Sequence, residues 1–189
     1  MIRRFLQFFF AVALTTSAMA EPRILETNHV YNIVLTDVDG DRLSTRDGHV
    51  TIITVTTKQN EPKARAVGDR VPDRYLGDPK YRLITLVNFQ KKVSVFFRGV
   101  TAAVIRHRLD LEAKRIQPIY SVKHLMRDPR KDIFAVADFD GQAVSSLGIQ
   151  PASDEFGVFV FDGQGRLLRR WSDAPPTEEL AASLAVAKF

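Results

Sequence analysis

Hydrophobic and polar residues alternate along this 189-residue chain in two periods, and the places where one period gives way to the other predict its elements. Val30-Tyr31-Asn32-Ile33-Val34-Leu35 alternates as a strand does and runs into Asp37-Val38-Asp39-Gly40-Asp41, whose Asp-Gly pair and following Leu43 predict a hairpin. Val50 to Val55 is apolar or β-branched at nearly every position, the signature of a central strand covered on both faces. A polar turn follows. Pro62 then stands where a helix's first turn tolerates it, its φ already suitable and its missing N–H not needed. The helix is expected over 61–69, with a looser turn broken at Pro72.

Tyr81 to Phe89 reads as the next buried strand. From Val93 to Ile116 the apolar positions Val93, Phe96, Phe97, Val100, Val104 and Leu111 recur at helical spacing, with Arg98, Arg106, Arg108, Lys114 and Arg115 on the other side. That pattern predicts an amphipathic helix laid on the sheet by its apolar stripe. A further helical stretch (120–127) leads to a strand over 133–137, then a short helix over 142–147 and a strand over 156–161. A turn and a partner strand over 166–171 come next. A last helix follows Pro175-Pro176, with Glu178-Glu179 in its positive first turn and Leu180, Leu184 and Val186 as its apolar face. The order implies an α/β fold: a mixed central β-sheet flanked by helices on both faces, with an N-terminal β-hairpin.

The first twenty residues stand outside that pattern. Arg3-Arg4, the apolar run from Phe5 to Leu14 and Ala18-Met19-Ala20 read as a secretory signal peptide with cleavage after Ala20, leaving 21–189 as one domain. The apolar run is shorter than the about twenty residues a bilayer span needs, and no other stretch could span. In a double-membrane bacterium the destination is the periplasm. Cleavage lowers the formal charge from +5 to +3, because Arg3 and Arg4 are the only charged residues before Glu21. That small excess, together with export, argues against nucleic acid as a partner.

Composition settles one chemical question. There is no cysteine, so thiol-disulfide exchange, peroxidatic catalysis, structural disulfides and cysteine-ligated metal are all excluded. Other chemistry finds little purchase. The three aspartates at 37, 39 and 41 lack a calcium loop's glycine, Arg42 standing there, and its closing carboxylate, replaced by Gly48. No Gly-x-Ser-x-Gly elbow is present. The histidines, His29, His49, His107 and His124, are scattered, and Met126 near His124 is a meagre set for a soft metal. No cofactor is expected. The basic run from Arg98 to Lys131 contains Asp110, Glu112, Asp128 and Asp132, which dilute its field; it reads as a solvated face, the other reading being weak contact with an anionic surface.

Three stretches give the chain a family likeness: Leu35 to Ser44, the strand, turn and helix over 50–65, and Phe159 to Leu167 with Thr177-Glu178-Glu179-Leu180. Together they resemble the thioredoxin-like superfamily in its redoxin version, and in texture the exported, cysteine-less YtfJ-type proteins. The resemblance covers most of residues 21–189, on short motifs. It implies that Asn60-Glu61-Pro62-Lys63 stands where the family carries Cys-x-x-Cys, and that Phe156 falls near the family's cis-proline position; Pro151 is five residues too early. The expectation is a redox-inactive fold that binds an envelope protein through this relic face, Gln59, Asn60, Glu61, Pro62, Lys63 and Phe156. The alternative is a metal carrier or enzyme with a non-thiol site built from His49, His124 or Glu61.

Overall fold

The computed structural model describes residues 23–90 and 94–189. The leader over 1–20 and Val93 of the predicted apolar stripe lie outside them.

The sheet has five strands in the order β5-β4-β3-β6-β7: β3 (Val50–Thr56), β4 (Tyr81–Asn88), β5 (Ile133–Asp138), β6 (Gly157–Phe161) and β7 (Leu167–Trp171). β3 pairs parallel with β4 and antiparallel with β6, β4 pairs parallel with β5, and β6 pairs antiparallel with β7, so the sheet is mixed. All seven residues of β3 are buried. Alternation along the strands divides the core in two. Ile53, Val55, Ile84, Leu86, Phe159 and Phe161 face one side, packed with Leu25, Ile33, Leu35 and Leu43 and with Val144 of α3 (Gln142–Ser146). Val50, Ile52, Val158 and Val160 face the other, under Val67 of α1 (Glu61–Arg70) and Leu180 and Leu184 of α4 (Thr177–Ala185). Each side chain pair follows from the period of two.

The N-terminal hairpin, β1 (Val34–Thr36) and β2 (Arg42–Ser44), forms its own two-stranded sheet. The Asp37 carboxylate accepts from the backbone N–H groups of Asp39 and Asp41, which fixes the predicted Asp-Gly turn. The strand expected over 30–35 is split. Its first half is drawn to β7, with the Tyr31 N–H donating to the Gly165 carbonyl and Val30 bridging Arg166, and only the end joins the hairpin.

The helix expected over 93–116 is α2 (Val95–Val122), 28 residues long and continuous with much of the separate stretch expected after it. Its orientation corrects the expectation from the sequence. The stripe does not lie on the sheet: Phe96 is 82% exposed and Phe97 58%, and Val100, Val104 and Leu111 are exposed too. The side that packs inward is Ala113, Ile116 and Tyr120. Tyr120 donates its hydroxyl to Asp132 at 2.6 Å, and Lys123 holds the Asp73 carbonyl at 2.7 Å, so the C-terminal half of α2 is anchored. Burial and the Asp132 carboxylate both push the Tyr120 hydroxyl pKa up. The inward stripe contains a small residue and an aromatic one far along the helix, a weaker pattern than the outward one. Two lesser departures follow from coverage: β4 alternates between buried and half-buried residues, and Val186, beyond the end of α4, is exposed.

Candidate functional site

β3 delivers the chain to one end of the sheet's central strand, and the turn Thr57 to Asn60 passes it into α1. Pro62 occupies the first turn of that helix, where no intrahelical donor is lost. Asn60 is the N-cap residue, yet its side chain does not cap. Its amide instead donates to the carbonyl of Asp154, in the loop before β6, and to the Thr57 hydroxyl at 3.4 Å. The turn before α1 and the loop before β6 are therefore joined by the Asn60 amide. Asn88, at the end of β4, donates to the Ser153 carbonyl at 3.2 Å and fixes the same loop from beneath.

The other residues of the face are spread around this tie. Phe156 is 4% exposed and packs in the core beneath α1, so it is floor rather than rim. Lys63 stands over it, its ammonium 5.8 Å from the ring centroid, and pairs with Asp173 at 3.2 Å. The Ala174 N–H and Lys63 hold the Asp173 carboxyl below the usual carboxylate range. Glu61 turns the other way and pairs with Arg108 of α2 at 3.1 Å. Gln59, Pro62 and Lys63 are exposed. Asp154, Asp173 and Arg108, distant in sequence, were not legible as members of the face; their partners are set by which loops and helices the sheet order brings alongside. Paired and solvated, these charges form a polar rim.

The residues of the metal reading are not brought into such a set. His49 is engaged by Asp47 at 2.8 Å, His29 contacts Glu26, and His124 ends α2 with a left-handed backbone. Among the described residues no group of three or more histidine, aspartate or glutamate side chains is placed to hold a metal ion. A cavity of about 500 Å³ lies elsewhere, beside the C-terminal end of α2 among Gln117, Ser121, His124 and Leu125.

No protein-family model matches the chain, and no curated protein matches it. Solved structures do. A candidate thiol:disulfide interchange protein DsbE from Chlorobium tepidum superposes with a TM-score of 0.53 at 11% identity, over 86% of this chain and 97% of that one. The pneumococcal exposed lipoprotein thioredoxin Etrx1 from Streptococcus pneumoniae gives 0.51 at 14%, over 82% and 98%. A secreted thiol-disulfide isomerase from Corynebacterium glutamicum gives 0.50 at 13%, over 82% and 81%. At such identities the likeness is one of fold. The chain has the thioredoxin-like fold, built here without a single cysteine.

Proposed function

We propose that this is an exported, redox-inert thioredoxin-fold protein that works by binding an envelope protein through the face formed by Gln59 to Lys63 over Phe156. The observation that carries this reading is the Asn60 amide on the Asp154 carbonyl: where a thiolate would act, a structural hydrogen bond joins the two halves of the face. A thiol-disulfide cycle needs a sulfur nucleophile, and no other side chain forms its mixed-disulfide intermediate. What is left is shape and a polar rim. The leader over 1–20 supports export, as do two of the fold neighbours, an exposed lipoprotein thioredoxin and a secreted thiol-disulfide isomerase.

The test is affinity capture from an envelope fraction, with the natural chain beside a Gln59→Ala/Glu61→Ala/Lys63→Ala variant. These residues are at least partly exposed and Phe156 is left in place, so the fold is retained. A partner held by the natural chain and lost by the variant is the expected outcome. Capture of the same partner by both, or by neither, overturns the reading.

A further inference from the structure

α2 is anchored at one end only. No residue of the helix belongs to either half of the core. Tyr120 is 1% exposed with its hydroxyl bound to Asp132, and the Lys123 ammonium is held by the Asp73 and Leu76 carbonyls. Gly77 backs onto this end so closely that a Cβ on it would lie 2.4 Å from the Leu125 side chain. From Val95 to Glu112, by contrast, no side chain is buried, and Ile105 and Leu109 on the inward side are only half covered. Burial begins at Ala113, one residue before the turn 114–118. Pro118 closes that turn. It leaves the Lys114 carbonyl without its intrahelical donor, and a helix bends most readily where that ladder is broken.

What holds the amino-terminal part is mainly charge. Arg106 donates to the Asp39 carboxylate at 3.2 Å and to the Val38 carbonyl, both in the turn of the N-terminal hairpin. Arg108 pairs with Glu61 of α1 at 3.1 Å, and Asp110 with Arg130 at 3.0 Å. Arg115, on the turn that Pro118 closes, pairs with Asp69 at 3.0 Å. Arg98 lies over the Phe139 ring, 5.4 Å from its centroid. Each of these ion pairs reaches solvent, so salt screens it and a competing charge can replace either partner. Apolar contacts within a core are not released in that way.

We propose that residues 95–112 of α2 form an arm latched to the body by these charges, and that the arm pivots at the turn 114–118 while the Tyr120 end stays fixed. Release of the arm parts Arg108 from Glu61 and leaves the Glu61 carboxylate open to a cation of the bound protein. The latch thus sets when that part of the relic face is available. This consequence rests on the binding reading of the face, whereas the latch itself is a property of the chain alone.

The full chain has no cysteine, so an introduced pair carries nitroxide labels at known positions. Arg65→Cys on α1 with Ala103→Cys on the arm reads the latch by pulsed dipolar spectroscopy, and Arg65→Cys with Val122→Cys reads the fixed end; all three sites are exposed. In about 0.01 M salt the first pair should give one narrow distance. In about 1 M salt, where screening leaves a range of about 3 Å, a second, longer distance should appear. Asp39→Asn/Glu61→Gln should raise the ratio of released to latched arm by about two- to thirtyfold at low salt, the range expected for two surface pairs. The second pair should keep its distance throughout, which also shows that the fold is intact. A first-pair distance unchanged by salt or by the double substitution, or equally broad under all conditions, overturns the proposal, and so does a second pair that moves with the arm. No partner is present, so this failure is told apart from failure of the capture test.

Discussion

Arg82 lies on β4 with only 4% of its surface exposed. Its guanidinium donates to both Asp47 oxygens, at 2.9 and 3.1 Å, to the Ser44 carbonyl at 2.7 Å and to the Thr51 hydroxyl at 3.1 Å; only Nε is buried without a partner. The cluster ties the N-terminal hairpin to the central strands. Burial by itself would raise the Asp47 carboxyl, but Arg82, His49 and the Ser44 N–H outweigh it and hold the pKa at about 2, from an ordinary 3.8. Asp47→Ala leaves a buried cation unpaired, and we expect it to cost toward the low end of about 3–5 kcal/mol near neutral pH, because Asp47 itself is partly exposed. Asp47→Ala/Arg82→Met should recover most of that loss, since the desolvated charge goes with its partner. The pH dependence has a definite sign. A carboxylate whose pKa is lowered by folding stabilises the native state above its ordinary pKa, and that contribution fades as pH falls through about 2. Urea unfolding of the natural chain and Asp47→Ala at several pH values should therefore show a gap that is full above about pH 4 and narrows toward pH 2. A gap independent of pH would mean that the ion pair does not supply it.

Among the elements, α2 departs most from ordinary helical design. Pro118 lies inside it, four residues from its end, where the ring removes one N–H and crowds the carbonyl one turn back. The position is exposed, so Pro118→Ala should raise stability by about 1–3 kcal/mol, read as a higher denaturation midpoint. An unchanged or lower midpoint would show that the proline sets the direction of the last turn toward Lys123. By contrast, the links between α1 and α2, Glu61 with Arg108 and Asp69 with Arg115, are surface pairs worth no more than about 1 kcal/mol each. β3 was plain in the sequence because a strand covered on both faces is apolar or β-branched along its length, and α1 because Pro62 marks its start. The strand read over 30–35 was only partly so, because its first residues follow β7, a partner more than 130 residues away. The face of α2 was misjudged for a similar reason. Period 3.6 identifies an apolar stripe but carries no information about what covers it.

For the molecule as a whole, the proposals concern address and partner. If the leader is a signal peptide, protein recovered from the producing cells should begin at Glu21, which intact mass measures directly; a chain retaining residues 1–20 in the cytosol would remove the case for export. The sequence by itself determined the absence of thiol chemistry, since that depends only on which atoms are present. It also determined the element order and the buried central strand, because periodicity is a local property of the chain. Only the tertiary structure decided that Phe156 lies under α1 rather than at the rim, that Asn60 spends its amide on the Asp154 carbonyl, and that the stripe of α2 points to solvent. Each depends on which distant segments the sheet order β5-β4-β3-β6-β7 places side by side. Adjacency of that kind is set by the summed burial of the whole core, and no short stretch of residues encodes it.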